Sequence, residues 1–230
     1  MYHILYNVSS PVRKEGRTMK KLLTCALLLL IGLVAGAAIM YTIHYLTDTS
    51  PLECAHEGNT ATADTDNAEL TALAFEVLGY IRDGDYQGLS RFAHPEFGVV
   101  FTPYATISLN ANRFFTAEQI ADFDSDTTIY IWGAWDGIGG PIEKTPEDYF
   151  ARFVYSRDFV NAPIIGINHI IRSGNALENI REIFPDVQFV DFFCPGELND
   201  GMDWRSLRLG FEKYEGELKL TLILSSEWTV

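Results

Sequence analysis

Between Leu22 and Tyr45 the chain runs for 24 residues without an Asp, Glu, Lys or Arg. A helix needs roughly 20 apolar residues to cross the hydrocarbon core of a bilayer. That one stretch divides the chain into parts that meet different solvents, and it fixes how the remainder is read. Arg13, Lys14, Arg17, Lys20 and Lys21 precede it, and no basic residue follows until Arg82. Positive charge stays on the cytoplasmic side. The expected organisation is therefore a cytoplasmic N-terminus over 1–21, a transmembrane anchor or long signal peptide over 22–46, a flexible acidic linker over 47–67, and an extracytoplasmic domain over 68–230. Met19 is an alternative start to Met1. The small residues Ala35-Gly36-Ala37 match a signal-peptidase site, so cleavage near Ala37, with secretion, stands beside retention as an anchor. Leu22-Leu23-Thr24-Cys25 has no hydrophobic region before it and is no lipid-attachment box.

Composition narrows the partners. The first 21 residues hold five of the 17 basic and one of the 31 acidic side chains, so the remainder carries 12 against 30, a formal −18. A surface of that sign repels nucleic acid and anionic lipid and keeps a domain soluble. Of three cysteines, Cys25 lies within the apolar run, leaving Cys54 and Cys194 as the one pair able to bridge in an oxidising compartment. Whether they pair stays open. The number of cysteines excludes a cysteine-built metal centre, and no metal or cofactor is expected.

Past the polar linker, Leu70, Leu73, Ala74, Val77, Leu78 and Ile81 recur with helical period, and Asp83-Gly84 stops that helix. Asp85 caps a short second helix. Val99-Val100-Phe101 reads as a strand. Thr116 and Gln119 form a capping box for a helix to Phe123. Thr128 to Trp132 is a β-branched and aromatic strand, ended by a glycine-rich loop from Gly133 to Pro141. Thr145-Pro146-Glu147-Asp148 opens a helix through Ser156, and 176–184 suggests another. Val187 to Phe193 and two alternating runs, Leu207–Phe211 and Leu218–Leu224 about the Glu215-Gly216 turn, give three closing strands. Helices first and an antiparallel sheet last make the class α+β.

This order of elements resembles the nuclear-transport-factor-two-like (polyketide-cyclase-like) cone fold. The resemblance implies helices packed on a curved antiparallel sheet, with a pocket at the mouth. A set of local segments, His94-Pro95-Glu96-Phe97-Gly98-Val99, Trp132-Gly133-Ala134-Trp135-Asp136-Gly137-Ile138-Gly139, Phe150-Ala151-Arg152-Phe153-Val154-Tyr155, Asp203-Trp204-Arg205-Ser206-Leu207 and Glu227-Trp228-Thr229-Val230, is similar to uncharacterised secreted or lipid-anchored proteins of Gram-positive bacteria. In that group the last strand carries a histidine near the position of Ser225 or Ser226. This chain departs there, so the resemblance implies no catalytic role at that place.

Candidate chemistry is sparse. No Gly-x-Ser-x-Gly, His-Glu-x-x-His or phosphate-loop pattern occurs. His94 and His169 are the only histidines after residue 67. In a cone pocket a histidine or aspartate can take a proton, which makes His94 with Asp136 or Asp203 the catalytic candidates for a hydrolase or isomerase. The blander reading of His94 is a turn residue bonded to backbone. Asp122-x-Asp124-x-Asp126 starts like a calcium loop but has Thr127 and Gly133 where glycine and glutamate are needed. Trp132, Trp135, Asp136 and Trp204 are the ligand-binding candidates, because flat rings beside an acid stack sugars or hold cations. Against this, the tryptophans can equally serve the core. The reading is a membrane-anchored binding or envelope-interaction module, with an envelope protein or small molecule as partner. A cone-pocket enzyme is the alternative.

Overall fold

The computed structural model describes residues 60–229, with side chains from Asp64 onward. The expected cytoplasmic segment, the membrane span, most of the linker and Cys25 and Cys54 lie outside the described residues. Among the described residues no helix is long and apolar enough to cross a membrane.

Helix α1 (Thr60–Asp83) begins inside the stretch expected to be linker. Its first turns carry Ala, Thr and Asp in sequence, with none of the apolar spacing that marks an amphipathic helix. From Leu70 the expected positions are buried: Leu70, Ala74, Val77, Leu78 and Ile81. Helix α2 (Tyr86–Ser90) follows, the Gly88 amide donating to Asp85 Oδ1 at 2.7 Å. Strand β1 (Val99–Thr102) is followed by β2 (Arg113–Phe115), and α3 (Ala117–Ala121) opens on the expected capping box. Strands β3 (Tyr130–Ala134) and β4 (Pro141–Lys144) form a hairpin of their own. Helix α4 (Pro146–Tyr149) runs into a π-helical turn, Phe150–Val154. The remaining elements are β5 (Ile164–Ile167), α5 (Ile180–Ile183), β6 (Gln188–Cys194), β7 (Arg205–Tyr214) and β8 (Glu217–Glu227).

The fold is α+β, and its sheet has six strands in the order β2-β1-β8-β7-β6-β5. The expected purely antiparallel sheet is corrected here to a mixed one, since β1 lies parallel to β8. The cause is topological. Strand β1 is reached from helices, not from a hairpin with β8, so nothing forces the two to run oppositely. Strands β7 and β8 are joined by the two-residue turn Glu215-Gly216, both at positive φ, as the right-handed twist of a hairpin prefers.

Both sheet faces are covered. On one, Val190, Phe192, Leu207, Leu209 and Ile223 join α1 and the aromatic side chains of the hairpin and α4. On the other, Val187, Phe189, Leu222 and Leu224 pack with Ile107 and Ile180 beneath the segment 168–184. That segment holds only a four-residue helix where a longer one was expected, because Glu178 and Asn179 turn their side chains to the sheet and to Ile107. Strands β2, β4 and β5 were not anticipated. The glycine-rich loop expected over 133–141 is the turn of the β3–β4 hairpin, closed by Trp135 N–H donating to Gly140 O at 2.8 Å.

Phe101 touches five other rings: Phe115, Phe123, Trp132, Tyr149 and Phe150. Phe101→Ala is expected to lower unfolding free energy by about 3–5 kcal/mol. On the neighbouring strand the exposed Phe114, replaced by Ser, should change it by no more than about 0.5 kcal/mol. Urea titrations followed by circular dichroism measure both, and equal effects would contradict the placement of Phe101 at the centre of the core.

Candidate functional site

The π-helical turn sets the geometry of the site. Tyr155 N–H donates to Phe150 O at 2.8 Å, one residue further along than an α-helix would reach, and π-turns concentrate at functional places. The wider turn leaves Phe153 inside the core and brings the Arg152 guanidinium to 5.8 Å from the Trp135 ring centre and 4.5 Å from that of Phe153. Arg152 then meets Glu227 in a two-pronged pair, at 3.1 and 2.7 Å. From the opposite strand position, Arg205 Nε reaches the same carboxylate at 2.9 Å. Glu227 is 5% exposed, so one buried carboxylate sits between two guanidinium groups. The bond to Glu227 raises the pKa of Arg152. Arg205 is held lower, because burial weighs most there and Arg152 and Arg157 repel it.

Beside this clamp, Trp135 and Asp136 border a depression of about 440 Å³ between the end of the hairpin, the segment after β1 and residues 175–177. Such a volume lies within the range of small-molecule sites. Tyr104 forms part of its wall. Burial raises the Tyr104 pKa, while the Asp136 N–H donating to it acts the other way. The Asp136 carboxylate accepts from the Thr229 hydroxyl, and the Thr229 N–H donates to Asn175 Oδ1 at 3.1 Å. Asn112, also on the lining, accepts through Oδ1 from Ser108 N–H at 2.6 Å. Asp136 is the one charged residue on this lining.

The other sequence candidates are placed elsewhere. His94 is 4% exposed and heads a tight turn bulging out between Ala93 and Val99. Its Nδ1 accepts from the amides of Glu96 and Phe97, both at 3.2 Å, its backbone N–H donates to Leu220 O, and its ring stacks on Phe97. Gly98 closes the turn at φ 69°, where a Cβ would meet Phe115 O at 2.2 Å. The nitrogen that would act as a base is therefore occupied, and His94 does not line the Asp136 depression. Asp203 accepts from Leu198 N–H at 2.7 Å and pairs with Arg157 at 3.1 Å, in a separate depression that includes Cys194. Asp136 and Asp203 thus form no shared carboxylate site.

Trp132 and Trp204 are 0% exposed and present no ring to solvent, contrary to their expected role. Trp132 lies flat on Tyr149 at 3.8 Å and donates to Lys144 O at 2.9 Å. The hairpin that carries it folds back onto the core, which the sequence read as a loop does not show. Of the four expected ring and acid contributors, only Trp135 and Asp136 come together at an opening. Asp126 is spent on its own turn, accepting from Thr128 N–H and Tyr130 OH, each at 2.8 Å. Among the described residues no three His, Cys, Asp or Glu side chains converge to hold a metal ion.

Residues that sequence reasoning missed include Tyr104, Asn112, Asn175, Arg152 and Glu227. Only Glu227 carried a usable signal, as a charge at the end of an apolar strand. The asparagines come from loops with no periodicity to place them.

No protein-family model matches the chain, and no curated protein is similar to it. Among solved structures, one from Xanthomonas campestris described as a calcium/calmodulin dependent protein kinase II association domain is 16% identical, over 69% of this chain and 85% of that one, with a TM-score of 0.29. That likeness is too slight to bear on fold or function.

Removing the clamped carboxylate leaves two guanidinium groups without it. Glu227→Ala is expected to cost about 1–3 kcal/mol of stability, less than the loss of one partner in a fully buried pair, because Arg152 and Arg205 are partly exposed and regain water. Chemical denaturation would read it, and a loss below about 1 kcal/mol, the ordinary value of an exposed pair, would show that the clamp is not buried. At Cys194, burial raises the thiol pKa. The native protein at pH 8 should therefore react with iodoacetamide more slowly at Cys194 than the unfolded chain does, as peptide mass spectrometry would show; equal rates would count against that burial.

Proposed function

We propose that this protein is a membrane-tethered, extracytoplasmic binding module of the cone-like, nuclear-transport-factor-two-like kind, and that its ligand site is the depression bordered by Trp135 and Asp136. The apolar run over 22–46 and the basic residues before it support the tether and its orientation. The element order supports the cone reading: a helix pair precedes the sheet, α1 packs on it through Phe75 against Phe192 at 5.2 Å, and the last strand returns beside the first.

The observation that carries the binding reading is the state of the polar groups at the opening. Their positions are fixed by bonds within the protein, yet each keeps hydrogen-bonding capacity to spare. Asp136 retains one carboxylate oxygen, and Asn112 and Asn175 retain their amide NH₂ groups. Pre-set groups of this kind lower the ordering cost of binding. By contrast, the enzyme alternative relied on His94 as base, and the bonds at its Nδ1 weigh against that role. The partner is an envelope protein or a small molecule, and the acidic sequence disfavours nucleic acid.

The test is a ligand screen by native mass spectrometry and thermal shift on the full chain in lipid nanodiscs. For any ligand found, Trp135→Ala is expected to weaken binding by about thirtyfold, a loss typical of a central aromatic contact. His94→Gln should leave affinity unchanged. A ligand indifferent to Trp135→Ala, or a turnover lost in His94→Gln with the fold intact, would overturn this reading.

A further inference from the structure

We infer that the Trp135 depression is one half of a groove that takes a neutral oligosaccharide of at least two residues. This deepens the binding function proposed above and rests on it. A second depression, of about 450 Å³, lies against the first. The two share Ala111, Asn112, Gly133 and Ala134, so the same short ridge forms one wall of each. Gly133 keeps that ridge low. At its φ of 148° a Cβ would stand 3.3 Å from Pro103 Cγ and 3.7 Å from Asn112 Nδ2, between the two halves. A ligand crossing from one half to the other must pass over this glycine, with the Asn112 amide beside it.

The chemistry of the walls selects the ligand. The linings carry one charge of each sign, Asp136 in the first half and Arg113 in the second. Asp136 accepts from Thr229, and the Arg113 guanidinium lies 4.9 Å from the Tyr130 ring centre. The two charges cancel over the groove as a whole, so its lining has no net charge to select an ionic ligand. What remains is apolar surface alternating with uncharged polar groups: the Trp135 indole in one half, the exposed Ile131 and Pro141 in the other, and the Ser108 hydroxyl with the amides of Asn112 and Asn175 along the rim. A pyranose has this pattern, with C–H faces to lay on a ring and hydroxyls around its edge. Trp135 supplies flat area at small entropic cost. Each half is large enough for one or two sugar units.

The experiment uses the full chain in nanodiscs of glycoside-free lipid, titrated calorimetrically with neutral gluco- and N-acetylglucosamine-type glycans of one to six residues. Affinity is expected to rise by about tenfold or more between one residue and three, then level off, as a second half-site becomes filled. Trp135→Ala and Asn112→Ala should each weaken binding of the longer glycan by about tenfold. Ile131→Ser, an exposed change that cannot unfold the core, should abolish the gain with length while keeping the affinity for one residue. Glycan binding that does not grow with length overturns the two-part groove. Binding of a peptide or a cation but of no glycan, still lost in Trp135→Ala, overturns the ligand class and leaves the binding site standing. No ligand of any class sensitive to Trp135→Ala overturns both.

Discussion

Strand β8 is the constraint on which the rest of the structure depends. It pairs with β7 antiparallel from Glu217 to Glu227 and with β1 parallel from Leu222 to Leu224. From Leu220 to Glu227 every residue is buried. A strand hydrogen-bonded on both sides and covered on both faces needs two layers of cover. Helix α1 and the aromatic hairpin supply one, and segment 168–184 supplies the other. A bulge at Thr221, whose hydroxyl donates to Gly210 O at 3.2 Å, lets the strand change register with β7 without losing its place.

Polar groups buried in those layers act as fasteners. On the face beneath 168–184, Arg208 is 0% exposed and lies between Asp191 and Glu178, with Ser206 also donating to Asp191. Glu178 follows directly on Leu177, which with Asn175 walls the candidate site. On the opposite face Glu227 joins β8 to the π-turn through Arg152. Buried ion pairs are weak sources of net stability, but the cost of losing one partner confines each to a single arrangement. Both walls of the opening are thus located by a charge group set in the sheet.

Much of this fold was legible in the chain. The spacing of Leu70 to Ile81, the capping box at Thr116, the Pro146 helix start and the closing strands follow from period and cap chemistry, which are local. The misses have different physical causes. Alternation around Leu207 and Leu209 implied that Arg208 faced water, and only the covering segment, placed by tertiary contacts, makes it buried. Trp132 and Trp135 are three residues apart with similar neighbours, yet one is core and the other rim, because the bulged β3–β4 hairpin separates them. The site was half visible: Trp135 and Asp136 stood out beside glycines, whereas Tyr104, Asn112 and Asn175 are gathered from loops remote in sequence. His94 behaves as its blander reading had it, a residue holding its own turn.

The parallel contact of β1 with β8 also governs how the domain comes into being. Val100 meets Leu222, so the pairing of β1 with β8 joins residues separated by most of the domain. Contacts of such long range are formed late, after the entropy of closing the intervening chain has been met. A growing chain would hold α1, α2 and β1 with their apolar sides uncovered until β8 had been synthesised. Such an intermediate exposes an unpaired strand edge to aggregation, and its lifetime depends on the rate at which β8 arrives. Among the described strands, the last one made is the one that turns a collection of local elements into a single cooperative unit.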